Sequence, residues 1–275
     1  LFEIRDLWPE SAIDTGVLKN KIIIKFAYWF EKFIYKKAVK INVLTPAFRE
    51  ALIDKKNIPP SKICFIPNAA DFSLSEELLQ VFNAQQFKIE LGLEHKFVIT
   101  YVGAHGVANH LIQVIETAAL LKDTNVHFLL IGDGMQRQEL ILEAEKRELR
   151  NIQFIPSISK KEVFKYILAS DMGTSVLKKV ETFKTVFSNK TFDYMSCKKP
   201  ILMAIDGVSK ELVERAKAGV FVEPENPVDF ANKIKIYLQN PEKIKTEGEN
   251  GYRFAKENFD REVLAKQYLE ILKEI

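Results

Sequence analysis

The feature that most constrains the chain is a regular alternation between short β-branched apolar runs and longer stretches of helical period. Nine runs have the length and composition of strands: Leu1–Arg5, Val39–Leu44, Ile63–Pro67, Phe97–Gly103, Val126–Gly132, Ile152–Pro156, Asp171–Leu177, Pro200–Ile205 and Gly219–Glu223. Each reads as a strand buried on both faces. Most are separated by 10–20 residues of amphipathic helix. Leu111–Leu121 is typical, with apolar residues at Leu111, Val114, Ile115, Ala118 and Leu121, and Lys161–Ala169 and Glu211–Ala218 behave alike. Such alternation predicts an α/β fold with parallel sheets covered by helices on both sides.

The alternation breaks once. The first 66 residues supply three strands and two helices, too few for a doubly wound domain, and a polar stretch, Asn68–Gln86, follows. From Phe97 a full set of about six strands runs to Glu223 and ends in helices. The expectation is therefore the tail of one α/β domain, a linker, and a complete second domain. Because the chain opens on Leu1 inside an apolar stretch, it reads as a piece of a longer protein.

Composition narrows the function classes. Hydrophobic residues make up 47% of 275, enough for a packed core. Two cysteines, Cys64 and Cys197, cannot build a disulfide framework or a four-ligand zinc site. Net charge is +3, too small to point to nucleic acid. It is unevenly spread: residues 1–66 carry 12 Lys/Arg against 7 Asp/Glu, the remainder 28 against 30. No apolar run approaches the ~20 residues of a membrane span.

Three strands end in glycine loops, Gly103-Ala104-His105-Gly106, Gly132-Asp133-Gly134 and Asp206-Gly207-Val208. In open α/β sheets, ligands sit at the carboxyl ends of strands, where glycine lets backbone approach a phosphate. None of these is a dinucleotide or Walker fingerprint, and plain turn punctuation is the other reading. A helix beginning near Ser188 would offer free amides at Ser188, Asn189 and Lys190 to a diphosphate. A lysine in the first turn opposes the helix dipole, so Lys190 suggests an anionic ligand. Asp193, one turn on, could accept both hydroxyls of a ribose. The competing reading is a capped helix with both charges solvated.

The stretch Thr185–Pro200 resembles the signature of retaining glycosyltransferases of family 4, which have the GT-B fold. The usual pattern is Glu, seven residues, Glu, then Ala-Met-Ala-x-Gly-x-Pro. Asp193 stands at the second Glu, Met195 and Lys199-Pro200 match, while Thr185 replaces the first Glu and Lys198 the glycine. The wording Ser188-Asn189-Lys190-Thr191-Phe192-Asp193-Tyr194-Met195 is closer to a sub-group that resembles the N-acetylfucosamine and amino-sugar transferases of bacterial surface polysaccharide assembly. Tyr101–Asn109 looks like that sub-group's first phosphate loop. Mainstream members carry Arg and Lys at the positions of Ala104 and Asn109, which makes Lys190 the candidate replacement cation and His105 a candidate contact. Phe128–Gly134 matches the next strand and turn, and Pro156-Ser157-Ile158 the loop that reads the nucleobase. Arg5-Asp6 stands where mainstream members place His-Asp. Arg5 is then a cation near donor or acceptor phosphates, or the partner of Asp6 in a buried ion pair.

The resemblance implies a donor site built from Gly103, His105, Gly106, Gly132, Gly134, Ile158, Ser188, Asn189, Lys190 and Asp193, with Arg5, Asp6 and Lys190 at the reacting centre. It implies residues 1–67 as the end of the acceptor-side domain, 68–92 as linker, 93–258 as the nucleotide-sugar domain, and 259–275 as a helix packing back on the front domain. It implies a nucleotide-sugar donor, expected to be UDP-linked, and a lipid-linked or saccharide acceptor such as a polyprenyl-linked saccharide; no cofactor, metal or nucleic-acid partner is expected. The chain alone is expected to bind nucleotide without turnover. Two alternatives stay open: a sugar-nucleotide 2-epimerase, and a nucleotide-binding or interaction module without activity.

One segment lies outside this signature. Val17–Lys40 holds seven Lys, one Glu and six aromatic residues. As a helix it could lie in a membrane interface, placing the protein in the cytoplasm, peripheral on the inner face of the membrane. A domain helix with a buried apolar face is the other reading.

Overall fold

The computed structural model describes residues 1–275. All nine expected strands form, in two separate parallel sheets. The first has β1 (Phe2–Ile4), β2 (Ile41–Val43) and β3 (Ile63–Phe65) in the order β1-β2-β3. Its connections are α1 (Glu10–Asp14), α2 (Lys21–Lys37) and α3 (Pro46–Asp54), one helix more than the sequence pattern suggests. Asn20 caps α2 by accepting from the amides of Ile22 and Ile23, and Thr45 caps α3 with Pro46 at its first position. A small core of Ile41, Val43, Phe48, Leu52 and neighbours holds this unit together.

The second sheet contains β4 (Phe97–Val102), β5 (Val126–Ile131), β6 (Ile152–Ile155), β7 (Met172–Val176), β8 (Ile201–Ala204) and β9 (Gly219–Phe221). Its helices are preceded by α4 (Phe72–Val81) and α5 (Ala84–Glu90) and comprise α6 (Ile112–Leu120), α7 (Arg137–Lys146), α8 (Lys160–Ala169), α9 (Asn189–Ser196), α10 (Val208–Ala216), α11 (Pro227–Leu238) and α12 (Pro241–Asn258). A last helix, α13 (Arg261–Lys273), ends the chain. The strand order β6-β5-β4-β7-β8-β9 reverses direction between β4 and β7. That reversal is the switch point of a doubly wound sheet, where a crevice opens beyond the strand ends.

Successive residues of the central strands feed two cores. Val98 points to the layer of α8, α9 and α10, with Phe164, Phe192 and Leu212. Ile99 and Tyr101 point to the layer of α6, α7 and α11, with Val114, Leu140 and Phe230. This two-sided cover explains the apolar runs of β4, β5 and β8, and it buries every residue of β7 although its middle reads Gly-Thr-Ser. The outer strands differ from expectation: β3, β6 and β9 are only partly buried, because each is an edge with a neighbour on one side.

The segment 68–92 connecting the sheets is helical. Phe72 and Leu78 of α4, with Ala70 and Leu93, lie in the core beneath α8. The chain crosses back next to where it crossed over. The Ala70 amide donates to Phe259 at 2.8 Å, and the Arg261 amide to Ala70 at 3.2 Å. Beyond that double strand, α13 lies by the first sheet; burial, with Glu3 nearby, raises the Tyr268 hydroxyl's pKa.

Candidate donor-binding site

The site forms where β4 and β7 part. Their ladder pairs Ile99 with Met172 and Thr100 with Gly173, and no further. Beyond it the Tyr194 hydroxyl fills the widening gap. It accepts from the Val102 amide at 3.1 Å and donates to the Thr174 carbonyl at 3.1 Å. Its ring lies flat on Gly173, where a Cβ would stand 2.3 Å from ring carbon. Tyr194 thus hangs α9 from the two diverging strands.

This fixes the N-terminus of α9 against the loop after β4. The amides of Asn189 and Lys190 have no acceptor within the chain. The Ser188 amide, expected to be free, donates instead to the buried Ser209 hydroxyl at 3.3 Å. The Lys190 side chain runs back along Gly103, whose missing Cβ would sit 3.1 Å from Lys190 Cε. Its ammonium lies 4.9 Å over the Tyr101 ring and 3.5 Å from Ser188 Oγ, with no carboxylate at ion-pair distance. Burial lowers its pKa to about 8, against the opposing pull of Asp193. Two free amides and a half-buried, unpaired cation facing one glycine loop make an anion site.

On the other side of α9, Asp193 opens into a cleft of ≈ 470 Å³ between the two sheets. Asn189 and Lys160 of the second unit line it with Arg5 of the first, and Arg261 and Tyr268 of α13 complete the lining. Burial raises the Asp193 carboxyl to about 6, although Lys160 stands 3.7 Å away. Lys160 and Arg261 are mainly engaged by Asp71, at 3.1 and 2.6 Å. The structure therefore brings Arg5, Asn189 and Asp193 into one cleft, with Gly103 and Lys190 behind the same helix end. Gly106, at the end of that loop, faces open space.

Other expected residues take different places. His105 points inward, fully buried beside Tyr101 and Phe154, and burial and then Arg137 hold it neutral with a pKa of about 4. It presents no imidazole to the cleft. Gly132 and Gly134 serve loop packing: a Cβ would meet Gly103 O at 2.0 Å and His105 O at 2.6 Å. They pack against the loop after β4 from behind. Ile158 is partly buried on the core below the loop after β6. Arg5 and Asp6 are both exposed and form no ion pair, which removes the buried-pair reading. Asp6 faces a separate groove with Trp8 and Phe30.

Thr185, at the position of the first signature Glu, is occupied locally. Its hydroxyl donates to Thr182 O at 2.6 Å, and its carbonyl accepts from Thr45 Oγ1 of the first unit at 2.7 Å. The sequence did not reveal Tyr194, Gly173, Lys160 or Arg261. The Ser159–Glu162 capping pattern could have pointed to Lys160, because it puts the start of α8 at a strand's carboxyl end.

Two parallel sheets, a switch-point site on the second and a cleft between them define a GT-B type chain. The family model described as Glycosyl transferases group 1 matches residues 83–254, and the chain belongs to that family. An uncharacterized glycosyltransferase of Methanocaldococcus jannaschii is 28% identical over 262 residues, 90% of this chain and 68% of that protein. The alpha-D-kanosaminyltransferase of Streptomyces kanamyceticus is 22% identical, over 94% of this chain and 66% of its own length. Among solved structures, Anabaena HepE in complex with UDP and glucose superposes with a TM-score of 0.80 at 19% identity, over 99% of this chain and 71% of that one. The chain thus spans about two thirds of the length of its curated relatives.

Proposed function

We propose that the protein transfers a sugar from a UDP-linked donor to a lipid-linked or saccharide acceptor, with retention of configuration, in bacterial surface polysaccharide synthesis. The observation that carries this reading is the N-terminus of α9, with two unbonded amides, the unpaired Lys190 ammonium and Asp193 one turn in. The UDP in the HepE complexes supports the choice of nucleobase. A structure of WaaG, a glycosyltransferase involved in lipopolysaccharide biosynthesis, superposes with a TM-score of 0.73 and supports the setting.

In this reading the Asn189 and Lys190 amides and the Lys190 ammonium hold the diphosphate. They neutralise the charge that grows on it as the glycosidic bond breaks, the step where preorganised donors act most strongly. Asp193 accepts the ribose hydroxyls. Arg5, facing them from the first sheet, meets phosphate on donor or acceptor. The acceptor oxygen attacks on the face that the diphosphate leaves, and the departing phosphate takes its proton.

Calorimetric titration of the 275-residue chain with UDP and GDP tests the site. UDP is expected to bind, and Asp193→Ala to weaken it by at least tenfold. A folded chain that binds neither nucleotide would sink the proposal.

A further inference from the structure

We propose that Asp71 is a positioning residue of the donor site: it holds Lys160 back from Asp193 and so keeps that carboxylate open for the ribose. Asp71 and Asp193 face the same lysine and are used in opposite ways. Asp71 is buried and saturated with donors. Its Oδ1 accepts from the Ser73 hydroxyl at 2.9 Å and caps α4 through the Leu74 amide. Its Oδ2 accepts from Lys160 at 3.1 Å and from Arg261 at 2.6 Å. No hydrogen bond reaches the Asp193 carboxylate, and the one cation within ion-pair reach of it is Lys160, at 3.7 Å. Asp193 lines the cleft between the sheets; Asp71 does not.

Backbone fixes where Asp71 stands. Ala70 before it is bonded to Phe259 and Arg261 where the chain crosses between the sheets, and Asp71 itself begins α4. Lys160 and Arg261 are each the first residue of a helix, α8 and α13, where a cation opposes the dipole. Asp71 supplies the counter-charge to both. Without it, the carboxylate already beside Lys160 is that of Asp193. An ammonium closed onto Asp193 would occupy the oxygens that the ribose hydroxyls need. The other charges near Asp193 are placed differently. Lys190 turns back over the Tyr101 ring at 4.9 Å, and Arg5 and Glu3 line the cleft from the first unit. Asp71 thus sets the strength of ribose recognition through Lys160. The inference rests on the placement of the ribose at Asp193 in the proposed function.

The test is the preference of the 275-residue chain for UDP over dideoxy-UDP, which lacks both ribose hydroxyls, taken by calorimetry as the ratio of the two dissociation constants. A ratio cancels the added positive charge, which draws both nucleotides alike, and any general loosening of the site. The unsubstituted chain should prefer UDP by about tenfold or more, and Asp193→Ala should abolish the preference. Asp71→Asn keeps the cap, since Asn and Asp rank alike there. It should lower the preference to about threefold or less as Lys160 closes on Asp193. Asp71→Ser, a cap without charge, is the second variant. Lys160→Met added to either should restore the preference, which repair of a damaged cap or fold would not explain. If both Asp71 variants keep the full preference while Asp193→Ala abolishes it, the role of Asp71 is overturned and the ribose assignment stands. A lowered preference that Lys160→Met does not restore overturns it too. A chain that binds both nucleotides equally overturns the ribose assignment and this inference with it.

Discussion

Tyr194 does two jobs with one side chain. Its hydroxyl closes the gap between β4 and β7, and its ring rests on a residue that must lack a Cβ. Tyr194→Phe leaves the Val102 amide unpaired and should cost about 1–3 kcal/mol in urea unfolding. Gly173→Ala drives a methyl into the ring and should cost more, since backbone and ring are both packed. The charged residues make a different prediction. Asp193 holds its proton more tightly in the fold, at about 6 against an ordinary 3.8. Its ionisation therefore destabilises the ligand-free fold as pH rises between those values. Asp193→Asn should stabilise the empty protein at neutral pH by about 1–2 kcal/mol, discounted because a quarter of the side chain is exposed, while weakening UDP. UDP affinity should rise as Asp193 ionises near pH 6 and fall as Lys190 loses its proton near pH 8. Lys190→Arg should flatten the alkaline limb of a calorimetric pH series. An unchanged limb would place the titrating group elsewhere.

Among the elements, α9 is short, and its position comes from its neighbours. Ser209 at the start of α10 donates to the Val186 carbonyl at 2.8 Å and accepts from the Ser188 amide, holding the approach to α9. Just upstream, the 3-10 turn Glu181–Thr185 is fastened to the first unit. Thr182 donates to Asp14, and Thr185 O accepts from Thr45. Thr45 also caps α3 through the Phe48 amide at 3.1 Å. Thr45→Val keeps shape and removes both bonds; we expect a loss of about 1–2 kcal/mol in thermal unfolding. A further expectation is weaker UDP binding by calorimetry, because the turn then loses one of its two ties to the first sheet. The helices between strands were legible because helical period is local, as in Leu111–Leu121, Lys161–Ala169 and Glu211–Ala218. The fate of the Ser188 amide was not, since its acceptor lies 21 residues away.

For the molecule as a whole, two sheets joined by adjacent crossings at Ala70 and Arg261 create a cleft that neither sheet contains. A ligand bound there should stabilise the folded chain. UDP at a hundred times its dissociation constant should add about 2.7 kcal/mol, seen as a raised Tm that Asp193→Ala abolishes. Arg5→Ala, on the exposed opposite wall, should leave Tm without ligand unchanged while lowering UDP-sugar affinity severalfold.

Local pattern determined much of this protein. The nine strands and most helices between them were legible from β-branched runs and helical period, which depend on residues close in sequence, and the GT-B class from the resemblance around Asp193; one helix of the first unit and the helices α4 and α5 in the expected linker were not. The glycine loop marked Gly103, the helix start Lys190 and Asp193, and the family resemblance Arg5. Tertiary structure alone decided which of the marked residues face the cleft. His105 sits in a matching loop yet turns into the core beside Tyr101 and Phe154. At Gly132 and Gly134 a side chain would strike the backbone of the neighbouring loop, so packing there requires glycine. Lys160, Arg261 and Tyr268 reach the cleft from segments far apart in the chain. The direction of a side chain depends on what packs behind it, and for these residues that partner comes from another strand, loop or sheet.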